Sequence, residues 1–439
     1  MIIKGDNLLA LKSLLPYYAS SVKMIYIDPP YNTGNTSWVY NDNMDSPLIK
    51  KWLEKTVNAE DLSRSDKWLC MMTPRLKLLR ELLKVDGVIF ISIDDAEVAH
   101  LRMICDEIFG SENFITEIIW NKKNVVQNDA KFVSTNHEYI LSYKKSSKLE
   151  NFNLLERREE QNERYSNPDN DPRGSWTSVA LQAKSGSDSA FEIEFPNGVV
   201  WKPVKGTFSR MSKESLLRAY YDNRIWFGKD GKNIPRLKKF LTEVKNGVVS
   251  NSLLFNDKVG STQLAKEQLK NIMQNNIFDT PKPYLLIQHF IKLSTSKNDI
   301  ILDSFAGSGT TAHAVLEQNA LDGGNRKFIL IETMDYAKDI TAERVKRVVE
   351  GYSFTGKDKT TLFEKKLTTT DILNPQKMQS LSDEANKIVE ENSSNFDKIE
   401  RSFKENILKI EGIKDIKGFK EGLGDGFKYC ELGDTYRRV

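Results

Sequence analysis

The architecture is indicated most clearly by the stretch Val22-Lys-Met-Ile-Tyr-Ile-Asp28-Pro-Pro-Tyr31. Its first six residues form a nearly continuous apolar run, which is typical of a strand buried on both faces of a parallel sheet. The run stops at Asp28, and Pro29 and Pro30 cannot continue a central strand. Because open α/β sheets bind ligands at the carboxyl ends of their strands, the stretch predicts a reactive site at this strand end.

Helices and strands alternate on both sides of this run, in two separate parts of the chain. Predicted strands lie at Ile2-Ile3, Val22–Ile27, Val88–Ile93, Phe114–Trp120, Glu138–Lys144, Ile300–Leu302 and Phe328–Ile331. Predicted helices lie at Asn7–Leu15, Lys67–Lys84, Ala96–Phe109, Tyr284–Ser294 and 310–318. One α/β sheet is therefore written in two pieces, 1–145 and 280–352, around a basic and partly β insert at 146–279. The balanced charge of residues 353–439 predicts a mainly helical extension.

Composition excludes several classes of protein. The chain has 439 residues, of which 39% are hydrophobic and 28% charged, and its longest apolar run is far short of the roughly 20 residues that cross a bilayer. The amino-terminal residues show no signal-peptide pattern, so we expect a cytoplasmic protein without a membrane partner. Cys70, Cys105 and Cys430 are too widely spaced for a disulfide framework or a zinc ribbon, and we expect no metal.

A glycine-rich turn, Asp303-Ser-Phe-Ala-Gly-Ser-Gly-Thr-Thr-Ala312, follows the strand Ile300–Leu302 and opens a helix. Gly307 and Gly309 let the backbone approach a ligand, which the free N–H groups of the helix face. Glu332 ends the next strand, where its carboxylate can accept both hydroxyls of a ribose. The turn also matches the dinucleotide pattern G-x-G-x-x-A, so an NAD site is an open alternative, whereas a P-loop is excluded because no Gly-Lys-Ser/Thr follows.

The tetrapeptide Asp28-Pro-Pro-Tyr31 suits methylation of an exocyclic amine. The lone pair of such an amine is delocalised into the base, which makes the nitrogen a poor nucleophile. The Asp28 carboxylate can accept one N–H and the Pro29 carbonyl the other, since prolines hold that carbonyl still. Tyr31 offers a face on which an extruded base can stack. The simpler interpretation, a strand stopped by two prolines, does not account for the nucleotide loop in the same chain.

Positive charge is concentrated in one part of the insert. The net charge is +3, but 201–245 holds 12 Lys/Arg and 4 Asp/Glu, interleaved with aromatic residues. This pattern suits a groove that follows phosphates and touches bases, although charge runs more often form a solvated surface. The predicted DNA contacts of this stretch are Arg236, Lys238 and Lys239.

Together, the tetrapeptide and the glycine turn resemble the amino-methylating DNA methyltransferases that use S-adenosylmethionine. Asp28-Pro-Pro-Tyr31 resembles their catalytic motif IV, and Asp303–Gly309 resembles their cofactor motif I. Motif IV comes first here, as in the β-class permutation, whose insert is the target recognition domain. The resemblance implies a circularly permuted, Rossmann-like methyltransferase fold with S-adenosylmethionine as cofactor. It implies four catalytic residues, Asp28, Pro29, Pro30 and Tyr31.

The same resemblance assigns cofactor contacts. Lys4-Gly-Asp6 resembles motif III, Thr280-Pro-Lys-Pro283 resembles motif X near the methionine end, and Glu332 resembles motif II. The implied cofactor-binding residues are Asp6, Lys282, Asp303, Phe305, Ala306, Gly307, Ser308, Gly309, Thr310 and Glu332. Asp6 also has a simpler role as the N-cap of the helix that starts at Asn7.

Two stretches resemble the motif VIII hairpin, which helps to receive the flipped base. They are Trp120-Asn-Lys-Lys123 and His137-Glu-Tyr139, and they imply DNA contacts from Trp120, Asn121 and His137. Trp120 has an equally good interpretation as a core aromatic residue. For His137, a hydrogen-bonded structural role is favoured over a catalytic one.

Further stretches are similar to the modification subunits of type III restriction systems, namely Asn167–Trp176, Arg224–Gly231 and Asp322–Phe328. This similarity implies double-stranded DNA as substrate, and a homodimer and a restriction subunit as partners. It favours adenine N6, because cytosine-N4 enzymes more often carry Ser where Asp28 stands. The alternatives are cytosine N4 and a DNA-binding specificity subunit that delivers a nuclease partner. Residues 353–439 depart from the usual longer form, which leaves both associations open.

Overall fold

The computed structural model of the chain describes residues 1–32, 64–123, 125, 131–157, 162–186, 191–244, 247–275, 278–404 and 406–433. The chain divides into two compact units, one of Met1–Asn153 with Asn251–Val439 and the other of Leu154–Ser250. The second unit lies within the predicted insert 146–279. Residues 251–279 belong to the first unit because they supply a strand and two helices to it.

The secondary-structure elements are numbered in chain order over the described residues. The strands are β1 Ile2–Lys4, β2 Val22–Ile27, β3 Leu83–Ile93, β4 Phe114–Asn121, β5 His137–Lys144, β6 Trp176–Ala180, β7 Gln182–Ala183, β8 Ile193–Glu194, β9 Val200–Trp201, β10 Phe208–Ser209, β11 Ile225–Trp226, β12 Arg236–Phe240, β13 Leu253–Leu254, β14 Ile300–Asp303, β15 Lys327–Glu332, β16 Gly351–Lys366, β17 Lys398–Lys404, β18 Ile407–Glu421 and β19 Tyr429–Glu431. The helices are α1 Asn7–Tyr18, α2 Arg64–Leu82, α3 Val98–Phe109, α4 Lys213–Tyr221, α5 Asn256–Val259, α6 Thr262–Met273, α7 Tyr284–Ser294, α8 Thr310–Asp322, α9 Glu343–Glu350, α10 Thr369–Ile372 and α11 Pro375–Asn392.

One large sheet organises the first unit, with the strand order β13-β4-β5-β3-β2-β14-β15-β1-β19 among the described residues. Neighbouring strands run parallel, except that β5 is antiparallel to both β3 and β4. β2 lies between β3 and β14, and Ile25 pairs with Ile89 on one side and Leu302 on the other. The carboxyl ends of β2 and β14, far apart in sequence, are therefore neighbours. The chain has the predicted Rossmann-like α/β fold written in two pieces.

Helices cover both faces of the sheet, as the continuous apolar run in β2 predicted. Ile25 and Ile27 pack with apolar residues of α1, α2 and α3. On the other face, Tyr26 and Phe90 stack against Phe290 of α7, with ring centroids 6.2 and 4.3 Å apart. Alternate side chains of β2 thus serve opposite faces, so the backbone at Asp28 is fixed from both sides.

The prediction of a mainly helical carboxyl-terminal extension is wrong. The strands β16, β18 and β17 form an antiparallel sheet, accompanied by the helix α11. Balanced charge does not distinguish an exposed helix from an exposed strand, whereas the frequent Ile, Thr and Phe residues of these segments favour strands. The chain then returns to the main sheet, where β19 pairs in parallel with β1.

The second unit has its own small core. Strands β11, β12 and β6 form an antiparallel sheet, and β8 and β9 form a hairpin around Pro196-Asn-Gly198. The apolar residues that form the core are Leu181, Phe191, Ile193, Phe195, Trp201, Leu216, Ala219, Ile225 and Phe227. Three of the seven aromatic residues in the basic stretch, Trp201, Phe227 and Phe240, are therefore buried.

Among the described residues of both units, the helices are all too short or too polar to cross a membrane.

Candidate active site

The tetrapeptide after β2 is held rigidly. Pro29 and Pro30 are buried, and the indole N–H of Trp68 on α2 donates to the Pro30 carbonyl at 2.6 Å. Asp28 keeps part of its side chain exposed, with a relative exposure of 25%. The tetrapeptide therefore presents its carboxylate from a fixed backbone.

Asp28 lies in a cluster of four polar side chains. The Tyr31 hydroxyl donates to Asp28 Oδ1 at 2.7 Å, and Lys282 Nζ donates to Asp28 Oδ2 at 2.7 Å. Glu138 on β5 completes the cluster, because its Oε2 lies 3.2 Å from the Tyr31 hydroxyl and 3.4 Å from Lys282 Nζ. Lys122 fixes Glu138 Oε1 at 3.0 Å. The sequence analysis assigned Lys282 to the cofactor, but its ammonium group contacts the predicted catalytic carboxylate.

The cluster is charged at neutral pH. Burial alone would lower the pKa of Lys282, but the carboxylates of Asp28 and Glu138 offset this and raise the pKa above its usual value. Burial likewise opposes ionisation of Glu138, yet Lys282 and Lys122 hold its pKa below the usual value. Burial, with the charges of Asp28 and Glu138, raises the pKa of Tyr31 well above 10.0. The tyrosine is therefore a neutral hydrogen-bond donor.

The glycine turn forms a second part of the site at the carboxyl end of β14. Gly307 and Gly309 adopt φ values of 52° and 78°, which favour glycine. The backbone N–H of Gly307 donates to Glu332 Oε2 at 2.7 Å, and that of Met334 donates to Oε1 at 2.9 Å. Glu332 thus lies directly beside the turn, where the sequence analysis placed it.

Lys282 joins the two parts of the site. Its ammonium group contacts Asp28, while its backbone carbonyl accepts a hydrogen bond from Thr310 Oγ1 at 3.3 Å. Thr310 is the first residue of α8, directly after the glycine turn. The strand-end carboxylate and the glycine turn are therefore linked through one residue.

A family comparison gives this geometry its context. The model of a DNA methylase family, the N6/N4 methyltransferases, matches residues 22–343, from the start of β2 into α9. The chain belongs to this DNA methylase family. The match contains both the tetrapeptide and the glycine turn.

The relatives of this chain include proteins of type III and type II systems. The chain is 38% identical over 354 residues to the StyLTI Mod subunit, a type III restriction-modification protein of Salmonella typhimurium, covering 77% of this chain and 52% of the relative. It is 33% identical over 419 residues to the EcoPI Mod subunit of Escherichia phage P1, covering 84% and 63%. It is 33% identical over 351 residues to the type II methyltransferase M.KpnI of Klebsiella pneumoniae, covering 75% and 79%. The chain thus spans about half to two thirds of the length of the two Mod subunits.

Asp303 lies buried beneath the glycine turn. Its Oδ1 accepts from the Phe305 N–H at 3.0 Å, and its Oδ2 accepts from Thr311 Oγ1 at 2.5 Å. Burial raises the pKa of Asp303 to about 7. Its hydrogen bonds hold the turn in shape from below.

Arg344 on α9 is a supporting residue that the sequence analysis missed. It is 1% exposed, and its guanidinium donates to Ser308 Oγ and Thr310 Oγ1, both at 2.8 Å. Burial lowers the pKa of Arg344 to about 9. The apolar spacing of α9 gave no sign of it, because an arginine on a helix is usually exposed.

Residues near the amino terminus support the same turn. Asp6 caps α1 by accepting from the Leu9 N–H at 3.0 Å, which confirms its simpler role. The buried Asn7 beside it donates to the Ser304 carbonyl at 3.2 Å and accepts from Arg75 Nε at 2.5 Å. Asn7 was also missed, because an Asn in a first helical turn reads as an ordinary polar residue.

Two of the predicted DNA contacts are contradicted by burial. Trp120 is 0% exposed and donates its indole N–H to the Gly260 carbonyl at 3.0 Å, so it is a core residue. Lys238 is 1% exposed, and its ammonium group is paired with Asp169 and Asp171 from the turn before β6. Neither side chain can contact DNA from these positions.

The other predicted DNA contacts have different surroundings. Asn121 donates to the carbonyls of Lys123 and Asn136, and His137 packs edge-on against Tyr139. Arg236 and Lys239 are exposed on β12. Their contacts with DNA stay predictions.

Proposed function

We propose that this chain is an S-adenosylmethionine-dependent DNA methyltransferase that modifies N6 of a flipped adenine in double-stranded DNA. The observation that carries the proposal is the double contact of Lys282 with Asp28 and with Thr310. It supports a single pocket in which an amine at the end of β2 faces a ligand on the glycine turn. Family membership and the type III relatives support the same chemistry.

The residues around the glycine turn fit an adenosyl cofactor. Gly307 and Gly309 have the backbone conformation of a nucleotide loop, and a side chain at 307 would stand 3.4 Å from the Phe278 ring. The buried Glu332 carboxylate beside Gly307 suits ribose hydroxyls. When bound, S-adenosylmethionine supplies an electrophilic methyl group on a sulfonium. We propose that Asp6, Phe305, Ala306, Gly307, Ser308, Gly309, Thr310 and Glu332 bind it, whereas Lys282 contacts Asp28 and Asp303 supports the turn from below.

The protein's part in the reaction is to orient the amine. Asp28 accepts one N6–H, which aligns the lone pair with the methyl group, and orientation of this kind can contribute about 7–11 kcal/mol. The Trp68 bond to the Pro30 carbonyl keeps the tetrapeptide still. Tyr31 offers its ring to the base once its hydroxyl leaves Asp28.

Adenine and a restriction partner are the finer parts of the proposal. Asp28 occupies the place where cytosine-N4 enzymes more often carry Ser, and the StyLTI and EcoPI relatives are named as Mod subunits. We therefore propose that the chain is the modification component of a restriction-modification system. The homodimer and the cytoplasmic location stay predictions.

Two experiments test the function. Calorimetry with S-adenosylmethionine and NAD in parallel should give binding of the first alone, and binding of NAD alone would support an oxidoreductase.

Methylome sequencing of a host that expresses the chain should show N6-methyladenine at one defined sequence. N4-methylcytosine would support the cytosine alternative, and an unmethylated genome with intact DNA binding would support a specificity subunit.

A further inference from the structure

Both oxygens of the Asp28 carboxylate are occupied in this structure. Oδ1 accepts from the Tyr31 hydroxyl and Oδ2 accepts from Lys282 Nζ, each at 2.7 Å. Under the proposed function, on which this inference rests, the target amine must donate to this carboxylate. A buried ammonium group already bound there competes with a neutral amine and normally wins, because charge-assisted hydrogen bonds are the stronger ones. The base therefore needs a way to displace it.

A second acceptor lies within reach of both donors. Glu138 Oε2 is 3.2 Å from the Tyr31 hydroxyl and 3.4 Å from Lys282 Nζ. The Glu138 side chain is 9% exposed, and Lys122 holds its other oxygen at 3.0 Å. A fixed, ionised carboxylate thus lies beside the Tyr31 hydroxyl and the Lys282 ammonium group, the two donors that occupy Asp28.

We propose that Glu138 and Lys282 are positioning residues that open Asp28 to the target base. As the amine binds Asp28, the Lys282 ammonium group and the Tyr31 hydroxyl pass to Glu138 Oε2, and they return when the methylated base leaves. Lys282 moves from one carboxylate to another, so no buried cation is left unpaired. The exchange also frees the Tyr31 ring from Asp28, which allows it to stack on the base.

The proposal predicts a specific dependence between two substitutions. In Glu138→Gln, Asp28 is the one charged acceptor left to Lys282. The target amine then competes with a more tightly held ammonium group for the Asp28 carboxylate. The KM for DNA should rise and kcat/KM should fall about tenfold, because the amine then competes with a stronger charge-assisted hydrogen bond. In a Lys282→Met background there is no ammonium group to transfer. Adding Glu138→Gln there should change kcat/KM by less than about twofold.

Steady-state transfer of tritiated methyl groups to unmethylated plasmid DNA measures this dependence. The proteins are the wild type, Glu138→Gln, Lys282→Met and the double variant, each checked by thermal unfolding. Lys23→Met is the matched control, because it breaks an ion pair of the same 2.7 Å length, with Asp86, at the other end of β2. The control should retain kcat and KM within about twofold, since its pair is remote from the tetrapeptide.

Equal losses from Glu138→Gln in both backgrounds would overturn the exchange, as would wild-type kinetics in the single variant. If Glu138→Gln does not fold, Glu138→Asp withdraws the second acceptor by one methylene and gives the same test. If the wild type methylates DNA and the losses of the two single variants simply add in the double variant, the exchange alone is refuted. A wild-type protein that transfers no methyl group refutes the proposed function.

Discussion

Both compact units bury a lysine between two carboxylates, and the two lysines differ in the freedom of their partners. In the second unit, Lys238 has a fully buried side chain and binds Asp169 and Asp171. Asp171 is also fully buried, and Arg173 clamps both of its oxygens at 2.9 and 2.8 Å. That carboxylate cannot be offered to a ligand.

Lys282 in the first unit has the same chemistry in an open setting. Its partner Asp28 is 25% exposed at a strand end. The second partner, Glu138, is more distant, because its Oε2 lies 3.4 Å from Lys282 Nζ and Asp28 Oδ2 lies 2.7 Å from it. We therefore expect a buried lysine pair to be structural where its carboxylates are locked, and we propose a functional pair where one carboxylate stays partly exposed. Substitutions in each pair should separate loss of chemistry from loss of stability.

The largest effect is expected from Asp28→Ala. Removing the acceptor should lower the methylation rate at least about 10²–10³-fold, as loss of one preorganised hydrogen-bonding group does in other enzymes. DNA binding, measured by fluorescence anisotropy, should stay within a few fold. Asp86→Ala serves as the control, since Asp86 forms the remote ion pair of β2. If Asp28→Ala retains methylation activity, the proposed functional role of the Asp28–Lys282 pair is wrong.

Lys238→Met should instead act on stability. It removes the shared cation of the partly exposed Asp169 and the fully buried Asp171. Breaking a buried pair costs up to about 3–5 kcal/mol, and Arg173, which stays on Asp171, reduces the loss. Urea unfolding followed by tryptophan fluorescence suits this variant, because Lys238 Nζ lies 5.2 Å from the Trp176 ring. The exposed neighbour Lys239→Met should change stability by less than about 0.5 kcal/mol. Equal effects of the two substitutions would show that Lys238 is not a structural residue.

Asp303 is a buried carboxylate without a lysine partner. Its hydrogen-bond donors are neutral, namely the Thr311 hydroxyl and the Phe305 N–H. Its folded pKa of about 7 lies above the unfolded value of 3.8. Between these values the folded state binds the extra proton, so stability falls as pH rises from about 4 to about 7 and is then constant. Asp303→Asn lacks this titration.

The stability of Asp303→Asn relative to the wild type should therefore increase by about 4 kcal/mol across that range. Urea unfolding of both proteins at several pH values measures it. A difference that does not vary with pH would mean that Asp303 is ionised in the folded protein.

The smallest effect is expected on the salt dependence of DNA binding. Neutralising Arg236 and Lys239, which are exposed on β12, should lower DNA affinity and reduce the slope of log K against log salt by about 1–2. Lys238→Met should leave that slope unchanged because its charge is buried. An unchanged slope in the double Arg236 and Lys239 variant would mean that this face of β12 does not meet DNA.

The sequence was sufficient for residues whose position follows from local pattern. Asp28 and Glu332 lie at the ends of apolar strands. Gly307 lies in a turn whose positive φ favours glycine. The positions of all three could therefore be predicted without a structure. The roles of Lys282, Glu138 and Arg344 could not, because they depend on which distant elements the sheet order brings together. Trp120 and Lys238 show the same limit, since their burial is set by Gly260 and by Asp169 and Asp171.

The most direct test of the account is the fate of an isotopically labelled methyl group. DNA is incubated with the chain and S-adenosylmethionine that carries a trideuterated methyl group, then digested to nucleosides for mass spectrometry. The account predicts trideuterated N6-methyladenine from the wild type and none from Asp28→Ala. Label in N4-methylcytosine, label in neither base, or equal label from Asp28→Ala would contradict it.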